Sequence, residues 1–178
     1  MNGSYEEHLK ATGPVPRRSR PSKHEYYLGI AKEVAKRSQD IDTQVGMILV
    51  NPKTGAIIST GYNGFVRGAD DKHLPSTRPE KYTYMVHAEP NLIYNCARHG
   101  ISTEGCIVYG TLSPCAPCVR TLWQSGISCV VFSNIHPSFE DTKVMKDLAV
   151  EVTECGEREK YYVAQLSPRS LTLVKGAG

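Results

Sequence analysis

An α/β layered domain, one sheet covered by helices, is the fold class this sequence predicts. Two observations predict it. Short runs of β-branched and other apolar residues alternate with stretches that repeat apolar residues at helical spacing. Turn-forming glycine, proline and asparagine mark several of the junctions between them. A third observation bounds the size: 178 residues suffice for one domain with a sizeable core.

Residues 1–23 set Gly13, Pro14, Pro16 and Pro21 among basic residues. They read as a flexible basic N-terminal arm ahead of a domain at 24–178. From His24 to Ser38 the residues Tyr27, Ile30, Ala31, Val34 and Ala35 form one apolar stripe, which predicts a helix. Val45 to Val50 and Ala56 to Thr60 predict a hairpin around the turn at Asn51–Gly55. Residues 62–85 form a long polar loop, a length that usually carries function. A second helix is expected over His87–His99, with Gly100 after its last turn and Pro90 tolerated in its first. Cys106–Thr111 predicts a strand, Cys115–Ser125 a third helix between Pro114 and Gly126, and Ile127–Phe132 another strand. A helix near 140–149 and strands at 150–153 and 161–166 complete the order.

Composition excludes several classes. Hydrophobic residues make up 40% and charged residues 22%, as in soluble globular proteins. No apolar run approaches the roughly 20 residues that cross a bilayer. The polar, basic start lacks the apolar stretch of a secretory signal. A cytoplasmic protein with reduced or metal-bound thiols is therefore expected. The arm holds five basic and two acidic residues, so it accounts for the whole net charge of +3. Residues 24–178 are neutral, which argues against a nucleic-acid-binding face.

The chemistry is concentrated in His87-Ala88-Glu89 and Pro114-Cys115-Ala116-Pro117-Cys118. A lone Cys-x-x-Cys also fits a redox pair or half of a structural metal site, and a lone His-Ala-Glu is weaker still. Together, in this order and each opening a helix, they match the signature of zinc deaminases. One imidazole and two thiolates hold zinc and leave a fourth position for water. Cys115 and Cys118 lie one turn apart at a helix start, where partial positive charge favours thiolates. Glu89 is the expected proton shuttle between water, substrate and leaving ammonia. Cys96, Cys106 and Cys129 fall on helix or strand positions and read as core thiols. His73, His99 and His136 lack ligand spacing and read as surface or loop residues.

With these residues in view, the chain resembles the cytidine and deoxycytidylate deaminase superfamily, on its deoxycytidylate branch. The resemblance runs from about Ser38 to Phe132. It includes Ser38–Gly46, Gly61-Tyr62-Asn63-Gly64, Asp70-Asp71 before Leu74-Pro75, Lys81–Tyr84 and Thr111–Cys115. It implies a three-layer α/β/α cytidine-deaminase-like fold. Its central mixed sheet would have about five strands, with helices on both faces. It implies zinc-dependent conversion of dCMP to dUMP, the dTMP precursor. Asn63 would meet the sugar, Ala88 the base carbonyl through its N–H, and the carbonyls around Ser113 the amino group. Ser38 would face the 5′-phosphate. Activation by dCTP with Mg²⁺ and inhibition by dTTP are implied through a region holding Gly61, Tyr62, Gly64 and Asp70. A homo-oligomer, a hexamer in related enzymes, is implied too.

Three residues depart from the family's pattern. Met47 follows Val45-Gly46, where a small residue is usual, and either shapes the base pocket or fills core. Gln39 replaces a residue that is basic in some relatives. Pro90 replaces an aliphatic one. Arg67, Arg78 and Lys81 are further phosphate candidates. Substrates such as dCTP or a 5-substituted dCMP stay open. A polynucleotide-editing deaminase would need a basic stripe, and a silent regulatory subunit would be expected to lose Glu89.

Overall fold

A computed structural model describes residues 19–136, 150–156 and 159–166. The arm up to residue 18 and the helix expected at 140–149 lie outside the described residues. The first helix, α1, spans Lys23–Ala35. It opens on a capping box: the Glu25 N–H donates to Ser22 Oγ at 3.1 Å and the Ser22 N–H to Glu25 Oε2 at 2.6 Å. It stops before the expected Ser38. There Ser38 Oγ accepts the Asp40 N–H at 3.2 Å, and such local bonding competes with helix continuation.

The strands are β1 Gly46–Val50, β2 Ile57–Tyr62, β5 Ile107–Gly110, β6 Cys129–Phe132, β7 Glu151–Cys155 and β8 Tyr161–Gln165. They form one mixed six-stranded sheet in the order β2-β1-β5-β6-β8-β7, where the resemblance implied about five strands. β1 runs antiparallel to β2 and β5, and β5 runs parallel to β6. A parallel pair needs a crossover, here supplied by helix α3 at Ala116–Gln124. Helix α2 spans Ala88–His99 and ends on Gly100 in the left-handed conformation, φ 63°. The long loop holds two short strands, β3 Gly64–Phe65 and β4 Met85–Val86, paired with each other.

Two apolar layers fix the helices. β1 is buried throughout. Met47 and Leu49 pack with Ala88, Leu92 and Cys96 of α2 and Val119 and Leu122 of α3. Ile48 and Val50 pack the other way, against Tyr27, Leu28 and Ala31 of α1. The period-2 alternation of the central strand thus places α1 on one face and α2 with α3 on the other. Each fully buried side chain of this kind stabilises by about 1.5–3 kcal/mol. Cys96, Cys106 and Cys129 are buried in these layers.

The register brings three chain segments to one end of the sheet. Gly46 pairs with Tyr62 at the end of β2, and Met47 pairs with Gly110 at the end of β5. The Gly46 N–H also donates to Thr111 Oγ1 at 3.2 Å. α3 begins just beyond this edge, and α2 begins beside Gly61 of β2.

Candidate active site

His87 and Cys115 are the N-cap residues of α2 and α3, and neither uses its side chain to cap its helix. Both side chains are therefore left to the site. Cys118 lies one turn inside α3 and is buried. The Nδ1 atom of His87 lies 3.5 Å from Cys118 Sγ and 3.7 Å from Cys115 Sγ. Among the described residues this trio is the one cluster of three metal-ligating side chains, its donor atoms all within 4.8 Å of one another. A tetrahedron with Zn–S and Zn–N bonds of ordinary length has edges of about 3.5–3.8 Å. The donor set and its spacing fit zinc.

Electrostatics at the trio reflect a shared proton. A hydrogen bond from Cys118, helped by the His87 ring, holds the Cys115 thiol down to about 4 against burial. The Cys118 thiol is pushed up by that same Cys115 contact and by burial. The bond to Cys115 also raises His87. Metal binding requires both thiols deprotonated, so loading releases this proton. Glu89, in the first turn of α2, is buried, and burial foremost pushes its carboxyl up to about 7. A buried carboxyl near neutrality can both hold and release a proton at physiological pH.

His87, Glu89 and Cys115 line a cavity of about 420 Å³, together with Ala88, Asn63 and Ser113. Asn63 is buried and tightly held. Its Oδ1 accepts the Val45 N–H at 2.8 Å, and its Nδ2 donates to Thr43 O at 2.9 Å and Asp40 Oδ2 at 3.1 Å. Ser113 Oγ accepts the His136 N–H at 2.7 Å, and His136 itself lines the cavity. Spacing did not single out His136. Its position just past the carboxyl end of β6, where open α/β sheets bind ligands, is the signal that finds it.

The other expected site residues divide between this cavity and places outside it. Met47 is wholly buried in the core between β1 and the two helices, and it is not among the residues lining the cavity. Strand alternation sends its side chain into the layer below the site. Ser38 is buried, lines a separate recess formed by residues 38–44, and is not among the residues lining this cavity. Lys81 does line the cavity, but it is 1% exposed and ion-paired to Asp40 at 2.6 Å and Asp42 at 2.7 Å. It is already neutralised. Arg78 remains half-exposed at the cavity, its Nε 3.3 Å from Asp42 Oδ2. Gly61, Tyr62 and Gly64 line a second cavity of about 360 Å³, with Arg37, Gln39 and Arg67. Asp70 is not among its lining residues; its carboxylate accepts the Lys72 N–H at 3.1 Å and caps a short turn. No helix among the described residues is long and apolar enough to cross a membrane.

Comparison with known proteins agrees with this geometry. Residues 21–134 match the family described as the cytidine and deoxycytidylate deaminase zinc-binding region. A probable deoxycytidylate deaminase of Caenorhabditis elegans is 41% identical over 133 residues, covering 71% of this chain and 66% of that protein. The deoxycytidylate deaminase of Homo sapiens is 37% identical over 126 residues, covering 66% of this chain and 69% of the human one. Among solved structures, the dCMP deaminase of cyanophage S-TIM5 in complex with dCMP and dUMP superposes with a TM-score of 0.62. It is 28% identical and covers 75% of this chain and 97% of its own. A mixed sheet between helix layers, a His–Cys–Cys trio at two helix starts and a buried glutamate beside it accompany these matches: the chain belongs to the cytidine and deoxycytidylate deaminase family.

Proposed function

We propose that this protein hydrolytically deaminates dCMP to dUMP and ammonia. The observation that carries the reading is one cavity that joins His87, Cys115 and buried Glu89 to Asn63, beside relatives named for that reaction. His87, Cys115 and Cys118 hold zinc. Zinc in such a site supplies the Lewis acidity that makes water nucleophilic near neutral pH.

The chain's own groups do the rest. Glu89 takes one proton from water and gives it to the ring nitrogen of the base, where it stays; it then takes the proton of the added hydroxyl and gives it to the amino group, which leaves as ammonia. Between the two transfers hydroxide adds to the amino-bearing carbon; with the second the C–N bond breaks, the carbon keeps the oxygen as a carbonyl, and Glu89 returns to its ionised form. Ala88 is the first residue of α2, where a backbone N–H has no partner within the helix, and it meets the base carbonyl. The carbonyls around Ser113 receive the amino group. Asn63 accepts from the sugar. Arg78 takes the 5′-phosphate, since its planar fork suits that group and Lys81 is spent on Asp40 and Asp42.

The second cavity takes a regulatory nucleotide in this reading, dCTP with Mg²⁺ or dTTP, supported by Arg37 and Arg67 at its wall. We place the enzyme in the cytoplasm as a homo-oligomer, a hexamer. All six cysteines are free, in keeping with a reducing compartment.

A spectrophotometric panel of dCMP, dCTP, CMP, deoxycytidine and a short single-stranded DNA tests the function. Fastest turnover on dCMP is expected. Preference for the nucleoside refutes phosphate recognition, and turnover of DNA alone refutes the nucleotide reading.

A further inference from the structure

We infer that Lys81 is a positioning residue for sugar recognition, acting through Asp40 on Asn63. The inference rests on the dCMP reading of the site. Lys81 is among the largest fully buried side chains of the described residues, and its ammonium meets two carboxylates. Asp40 is the hub. Its Oδ1 accepts from Lys81 Nζ at 2.6 Å, the Asp42 N–H at 2.8 Å and the Thr43 N–H at 3.1 Å. Its Oδ2 is left to accept from Asn63 Nδ2 at 3.1 Å.

That contact decides what Asn63 can offer a ligand. Its two amide hydrogens go to Asp40 Oδ2 and Thr43 O. One lone pair of its Oδ1 takes the Val45 N–H. Only the second lone pair of Oδ1 remains, so Asn63 faces the cavity as an acceptor. A deoxyribose 5′-phosphate has one free hydroxyl, and that donor matches it. Lys81 keeps Asp40 ionised in a buried setting. An ionised carboxylate is acceptor-only and so cannot present a donor to the Asn63 amide. Without the ammonium, Asp40 gains a proton or swings away, and the Asn63 carbonyl loses its fixed aim.

The experiment uses zinc-loaded full-length protein, dCMP and 2′,3′-dideoxycytidylate, which lacks the hydroxyl. Wild type is expected to favour dCMP by about tenfold or more in kcat/KM. In Lys81→Met that preference collapses: dCMP loses about tenfold, chiefly through KM, while the dideoxy substrate changes less than about twofold. Zinc content stays as in wild type. The double variant Lys81→Met/Asp40→Asn removes both buried charges and guards against a folding failure of the single change. It too is expected to lose the preference, because a carboxamide at that position has one acceptor oxygen for the donors that the Asp40 carboxylate satisfies with two. Equal losses on both substrates, or a preference kept in either folded variant, overturn the inference alone. Wild type that does not discriminate overturns it whether or not any variant folds. Wild type inert toward dCMP overturns the dCMP reading and this inference with it.

Discussion

His87 Nδ1 lies 3.5 Å from Cys118 Sγ although the two residues are 31 positions apart, each in or at the first turn of a different helix. Nothing in either helix alone brings them together. The contact exists because β1, β2 and β5 bring their ends to one edge, so that α2 and α3 start side by side. A metal held there ties two helices and the sheet together.

Zinc removal should therefore cost stability as well as activity. Ligand linkage contributes about 2.7 kcal/mol at a free metal concentration 100 times Kd, which is about 5–10 °C in Tm for a chain of this size. Calorimetry before and after chelation, with readdition of zinc, measures it. Cys118→Ala should bind no more than a small fraction of wild-type zinc and show no chelator-dependent shift. A Tm indifferent to chelator counts against a zinc-linked pair of helix starts.

Glu89 sits two residues after His87, in the first turn of the same helix, yet it is not a ligand of the trio. Glu89→Gln keeps its shape and removes proton transfer. Turnover should fall by about 100- to 10,000-fold while bound zinc is unchanged. Quantifying metal and kcat on one preparation separates the roles: loss of zinc with activity would make Glu89 a structural support for the metal.

The members of the trio were legible in sequence because each is flagged locally, two at helix starts and one a turn on, although only the sheet brings the two helix starts together. The six strands of the sheet were each legible from short apolar runs bounded by turn residues, although the family resemblance implied about five. β3 and β4 were not, since two-residue strands have no period to read. Met47 was ambiguous because β1 is buried on both faces, so its apolar run shows no alternation. The Asp40–Lys81 pair was hidden for a different reason. A lysine and an aspartate 41 positions apart look like two solvated loop charges until tertiary packing buries them.

That pair predicts a pH dependence of stability. Burial alone would raise Asp40, but Lys81 and the N–H groups of Asp42 and Thr43 outweigh it and hold the carboxyl below its usual range. Burial alone would lower Lys81, but the hydrogen bonds of Asp40 and Asp42 hold it above its own. Asp40 thus contributes stability that is present above its unfolded value of about 3.9 and is lost as pH falls through the lower folded one. Lys81 contributes stability that is full below about 10.4 and is lost as pH rises through its higher folded value. Urea midpoints from pH 7 down to pH 3 should drop less steeply in Lys81→Met/Asp40→Asn than in wild type. Parallel curves would show that the pair does not govern the acid limb.

Gly61 has a packing role whether or not a nucleotide visits the second cavity. A Cβ added there would lie 2.5 Å from Ala88 O and 2.7 Å from Leu92 N, both backbone atoms of α2 that cannot rotate away. Gly61→Ala must push the start of α2 off β2, and His87 and Glu89 move with it. Overpacking of this kind costs about 1–3 kcal/mol. A displacement of about 1 Å at the reacting groups costs about 100-fold in rate. Gly29 of α1 supplies the control, since a Cβ there meets nothing within 4 Å. Gly29→Ala should stabilise the helix by about 0.5–1 kcal/mol and leave turnover unchanged. Tm and kcat/KM on dCMP for the two variants decide the matter: a Gly61→Ala protein as stable and active as Gly29→Ala would mean that α2 can shift without disturbing the catalytic edge.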